Sequence, residues 1–171
     1  MTKFLTKSVL AATVALLATP ALAAPAGISD FDAKAKIVKP VTLTKVTDLD
    51  FGTTTMNPAL VSATVTVSDV TGSTAVCSST DLTCSGGFPA SFTLSSGVQG
   101  QTVLISFDNP PTTLLHSNGT NTVGFSLDAV ENVRLDSTGA GKFNVGGTIT
   151  VVAATADGDY SANVDIVANY L

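Results

Sequence analysis

Tryptophan is absent from the 171-residue chain, tyrosine occurs twice, histidine once as His116 and glutamate once as Glu131. Sugar-cleaving and sugar-binding clefts rest on ring-stacking aromatics, and two tyrosines supply almost none of that surface. Two cysteines without a neighbouring histidine fall short of a four-ligand metal site. Charged residues make up only 12% of the chain, and after the first twenty or so residues no apolar run is long enough to span a bilayer. What the chain has in place of these is threonine and valine. Their β-branched side chains are stiff at χ1 and suit half-buried pleated surfaces rather than helices.

Residues 1–23 read as a secretory signal peptide. Lys3 and Lys7 make a basic start, Ser8 to Ala18 form a short apolar stretch, and Ala21-Leu22-Ala23 is a small-x-small cleavage site. The mature chain, beginning near Ala24, keeps six basic residues against thirteen acidic ones, a net charge of −7. An acidic surface with no basic patch repels nucleic acid and anionic membranes, so no nucleic-acid partner is expected. Cys77 and Cys84 are the only cysteines. In an exported chain they are expected to pair, clamping a local loop.

Candidate strands are Ala33–Val38, Val41–Val46, Ala59–Ser68, Ala90–Leu94, Thr102–Phe107, Val123–Val130, Lys142–Val145, Thr148–Ala154 and Tyr160–Tyr170. Turn signals punctuate them at Thr71-Gly72-Ser73, Ser85-Gly86-Gly87, Asn109-Pro110-Pro111, Ser117-Asn118-Gly119, Ser137-Thr138-Gly139 and Asp157-Gly158-Asp159. The fold class is all-β, a mostly antiparallel, immunoglobulin-like β-sandwich built from many short strands. Ala63, Val65, Val67, Phe92, Leu94, Val103, Ile105, Phe107, Val123, Phe125, Leu127, Phe143, Val145, Ile149 and Val151 alternate with polar residues and form the core faces. Thr148–Ala154 and Tyr160–Tyr170 are expected to pair as a hairpin, with Gly158 supplying the turn.

The two ends alternate most clearly. Tyr160, Ala162, Val164, Ile166, Ala168 and Tyr170 point one way, and Phe31, Ala33, Ala35 and Ile37 alternate with Asp32, Lys34 and Lys36. Lys39-Pro40 interrupts the second pattern, because proline cannot donate to a ladder. Residues 24–38 are read as an N-terminal arm, a candidate donor strand that could equally be the sandwich's own edge, and residues 39–171 as the sandwich domain.

Catalytic patterns fail one by one. His116 lies in a loop rich in Pro and Asn, and no G-x-S-x-G elbow accompanies it. Gly139-Ala140-Gly141-Lys142-Phe143 lacks both the first glycine and the final hydroxyl residue of a phosphate loop. Asp157 and Asp159, like Asp48 and Asp50, offer two carboxylates where calcium takes six to eight oxygens, so whether calcium binds near Asp157 and Asp159 stays open. Asp128 and Glu131 form the nearest approach to a carboxylate pair. No enzyme activity and no cofactor is expected.

Leu49-Asp50-Phe51-Gly52, Phe143-Asn144-Val145-Gly146-Gly147-Thr148-Ile149, Gly158-x-Tyr160-Ser161 and the closing Val164-x-Ile166-x-Ala168-x-Tyr170 resemble a family of small exported bacterial domains of unknown function. The layout is similar to that of spore coat protein U domains and of archaic chaperone–usher pilins. The resemblance implies a sandwich lacking one strand, completed by a neighbour's N-terminal extension and, before assembly, by a periplasmic chaperone that hands the subunit to an outer-membrane usher. It implies Phe31, Ala33, Ala35 and Ile37 as donor side chains. It also implies that Val164, Ile166, Ala168 and Tyr170, with Tyr160 on the same C-terminal strand, line the acceptor groove.

The expected function is thus a secreted structural subunit of a surface fibre or coat. It would pass through the periplasm to the cell surface and polymerise with itself or with related subunits. The same sequence also fits a closed monomer whose terminal strands pair with each other, an exported binding module for a polysaccharide or a surface partner.

Overall fold

The computed structural model describes residues 31–129 and 132–171. The expected signal peptide, residues 24–30 of the arm, and Glu131 of the carboxylate pair lie outside them. The chain divides into two compact units between Lys36 and Ile37.

In the first unit, residues 31–36 are exposed and belong to no strand, and Lys34 Nζ pairs with Asp32 at 3.4 Å. The strand expected at Ala33–Val38 is therefore corrected, since residues 31–40 carry no strand at all. Alternation prepares a segment to pair but does not supply the second strand that pairing needs.

The second unit is all-β. Its strands, in chain order, are β1 (Thr42–Thr47), β2 (Thr53–Met56), β3 (Ser62–Val67), β4 (Val76–Cys77), β5 (Leu82–Ser85), β6 (Ala90–Ser95) and β7 (Thr102–Asp108). There follow β8 (Thr113–His116), β9 (Thr122–Ala129), β10 (Asn132–Arg134), β11 (Gly141–Val152), β12 (Tyr160–Ser161) and β13 (Asp165–Tyr170). All pairings are antiparallel. The main sheet runs β1-β6-β11-β9-β8-β12, with β3 also on β11 and β4 on β3; a second sheet runs β10-β7-β13, and β2 and β5 form a ribbon.

β11 organises the main sheet. Along one edge its first half pairs with β6 and its second half with β3, while the opposite edge pairs with β9. The two strands expected at Lys142–Val145 and Thr148–Ala154 are thus one, running through Gly146 and Gly147. Both glycines are required where they stand, because a Cβ on Gly146 would collide with the carbonyl of Val67 and one on Gly147 would lie 2.8 Å from that of Ser126.

The hairpin expected around Gly158 does not form. Both edges of β11 are already taken, so the returning chain has no edge to join. Tyr160–Ser161 pairs with β8 instead, and after a break at residues 162–164 Asp165–Tyr170 pairs with β7 in the other sheet. The strand expected at Ala59–Ser68 is shorter, Ser62–Val67, because Asn57 holds residues 57–60 in a turn, accepting the amide of Ala59 at its side chain and that of Leu60 at its carbonyl.

The sandwich core lies between the main sheet and β10-β7-β13, where Leu94, Val103, Ile105, Leu135, Phe143 and Val145 are buried. Phe92 and Phe143 stack at 5.1 Å, doing the anchoring that tryptophan does elsewhere. A second cluster, Leu60, Ala63, Val65, Leu82 and Val151, sits under the β2–β5 ribbon. A third, Leu114, Val123 and Phe125, occupies the β8–β9 end.

Candidate functional site: an apolar trough between two sheet edges

The layer facing the main sheet is made of two pieces. One is β10-β7-β13, ending at β13; the other is the β2–β5 ribbon, in which β2 pairs only with β5. Among the described residues neither the outer edge of β13 nor that of β2 has a partner strand. Asp165 and Ile166 at the start of β13 and Thr53, Thr54 and Met56 of β2 line one trough of about 1270 Å³. That exceeds the ~300–1,000 Å³ of small-molecule sites.

Its floor is the inner face of β9 and β11, with Val123, Phe125, Leu127, Ile149 and Val151 in line. Those positions alternate in sequence, so the floor follows from strand period alone. Phe51 closes one side edge-on to Phe125, centroids 6.1 Å apart. Phe107, Ile166 and Val164 close the other. Leu127, Ile149, Phe51, Phe107 and Ile166 are each only partly buried, so the trough exposes apolar side chains on its floor and walls beside a polar rim.

The disulfide holds one wall. Cys77 on β4 is bonded to Cys84 on β5. Since β4 pairs with β3 of the main sheet and β5 carries β2, the bond ties the ribbon to the floor sheet.

A histidine holds the end. His116 reads as a loop residue in the sequence, but it closes β8 and is only 9% exposed. Its Nδ1 accepts the Asn118 amide at 2.9 Å, which leaves Nε2 to carry the proton and donate to the Asp157 carbonyl at 2.8 Å. Tyr160 meets the ring edge-on at 4.8 Å and donates its hydroxyl to Ala156. Gly158 lies so close to the imidazole that a Cβ there would overlap Nε2, and its φ is 137°. The signal in the sequence was a glycine between two aspartates and a single histidine, which distance along the chain concealed.

Of the C-terminal residues singled out above, Tyr160, Val164 and Ile166 line the trough, whereas Ala168 and Tyr170 pack into the main core. The Tyr170 hydroxyl accepts the Val98 amide at 3.0 Å. Phe31, Ala33, Ala35 and Ile37 are all exposed, Phe31 at 89% and Ile37 at 96%. Asp157 and Asp159 stand at the rim with Asp48, Asp50 and Asp165. Among the described residues no three His, Cys, Asp or Glu side chains gather as a metal site, and no helix is long and apolar enough to cross a membrane.

A family model described as a domain of unknown function, DUF4402, matches residues 41–170. The chain belongs to that family. The DUF4402 match begins at Val41, one residue before β1, and ends at Tyr170, the last residue of β13, so the trough and both edges fall inside it and residues 31–40 fall outside. No curated protein and no solved structure matches the chain.

Proposed function

We propose that this DUF4402 domain is a secreted, non-enzymatic structural subunit of a pilus-like surface fibre or coat, an immunoglobulin-like sandwich missing one strand. A neighbour's arm, placing Phe31, Ala33, Ala35 and Ile37 into the trough, supplies that strand. The reading is supported above all by the trough lying between two unpartnered strand edges. Such edges are aggregation sites unless something pairs with them, and β-strand addition satisfies their backbone groups while side chains fill the groove. Before assembly a periplasmic chaperone would cover the same groove, and an outer-membrane usher would exchange it for the next subunit.

The test compares the mature chain with and without residues 24–38. The complete chain is expected to form ladders of oligomers that resist detergent, and the shortened one to stay monomeric and to bind an added arm peptide. Two equally stable monomers that never oligomerise would refute the proposal.

A further inference from the structure

Resting on the donor-strand reading, we infer that the trough selects a second copy of this same chain, and that it does so by charge. Residues 31–40 hold Lys34, Lys36 and Lys39 against one acid, Asp32, whereas residues 41–171 hold three basic residues against eleven acidic ones. Asp30 brings the whole of residues 24–38 to neutrality, so the positive charge is confined to the donor segment and Lys39 behind it, while the domain is anionic. The trough concentrates that negative charge at its rim, where Lys45 is bonded to Asp48 at 2.6 Å and Asp50, Asp157, Asp159 and Asp165 remain. All four of those carboxylate residues are exposed.

An extended arm puts Phe31, Ala33, Ala35 and Ile37 on one face and Asp32, Lys34 and Lys36 on the other, with Lys34 pairing Asp32 at 3.4 Å in the single chain. With the apolar face down on Phe125 and Ile149, the lysines emerge at the mouth, among the aspartates. Joining the arm of one copy to the rim of the next is a head-to-tail contact, which leaves a fresh arm and a fresh rim at the two ends and propagates as an open fibre. Opposed potentials of this kind raise encounter rates and reject partners of the wrong sign.

Assembly of the purified full chain, followed by light scattering at several salt concentrations, tests this. Four chains are compared: wild type, the arm variant Lys34→Glu with Lys36→Glu, the rim variant Asp159→Lys with Asp165→Lys, and the two combined. At low salt each reversal is expected to slow assembly about tenfold or more and the combination to recover most of the rate, while at 1 M salt all four converge, because the screening length there is about 3 Å. Lys34 and Lys36 belong to no strand, so the arm variant leaves every strand pairing in place and decides the matter even if the rim variant unfolds. If the arm variant assembles at the wild-type rate with no salt dependence, charge selection is wrong and the donor-strand reading stands. If the wild-type chain itself stays monomeric and takes up no peptide of residues 29–39, both are wrong.

Discussion

Asp165, the first residue of β13, lies directly opposite Asp108, the last residue of β7. Both are exposed, and neither joins an ion pair among the described residues. Like charges opposed across an antiparallel pair destabilise it by several tenths to about 1 kcal/mol. Asp108→Asn, which leaves the trough untouched, is therefore expected to raise the urea midpoint of the isolated chain. The gain should shrink as salt is added. A midpoint equal to or below that of the wild type would show that the two carboxylates do not repel.

The His116 clasp predicts a non-additive pair. His116→Ala removes the partners of the Asn118 amide and the Asp157 carbonyl, a loss of about 1–3 kcal/mol. Gly158→Ala drives a methyl into the imidazole and forces a side chain onto a φ of 137°, so it too should destabilise. Combining them frees the space the methyl needs. The double variant should then lose less than the sum of the singles, and strict additivity in denaturation would mean that ring and glycine do not touch.

Much of this architecture was legible because period 2 needs no tertiary knowledge. Val65 and Val67, Val103 and Ile105, and Val123 and Phe125 alternate in the sequence and are buried in the fold. Partnership was not legible. Thr148–Ala154 and Tyr160–Tyr170 read as a hairpin by proximity, yet β3 and β9 hold the two edges that such a hairpin would use. The trough shows the same limit. Leu127 and Ile149 read correctly as inward-facing, but whether a second layer covers them depends on where β13 and β2 stop, and alternation along one strand carries no information about that.

Removing the disulfide should act locally before it acts globally. Cys77→Ser with Cys84→Ser opens a short loop worth about 2–3 kcal/mol in the chain-entropy model. The ribbon it ties down is two strands wide, and such ribbons have little stability of their own. Amides of Thr53–Met56 and Leu82–Ser85 should lose hydrogen-exchange protection first, while β9 and β11 retain theirs. Uniform loss across all strands would show that the bond does not serve the ribbon in particular.

Asp136 ties part of the acid limb of stability to one loop. Its carboxylate accepts the Thr138 hydroxyl at 2.7 Å and the amides of Thr138 and Ala140 at 2.8 and 3.0 Å, and these bonds, the hydroxyl first, hold its pKa below the ordinary 3.8. A carboxylate depressed in the folded state contributes stability that is complete above its unfolded pKa and is lost as pH falls through the folded one. The loss should begin near pH 4 to 5 and continue below the ordinary value. Asp136→Asn keeps a side-chain oxygen that can accept hydrogen bonds but cannot titrate. Stability of that variant, measured by denaturant from pH 7 to pH 2, should fall less steeply on the acid side than that of the wild type. Parallel curves would place the acid sensitivity in the other carboxylates.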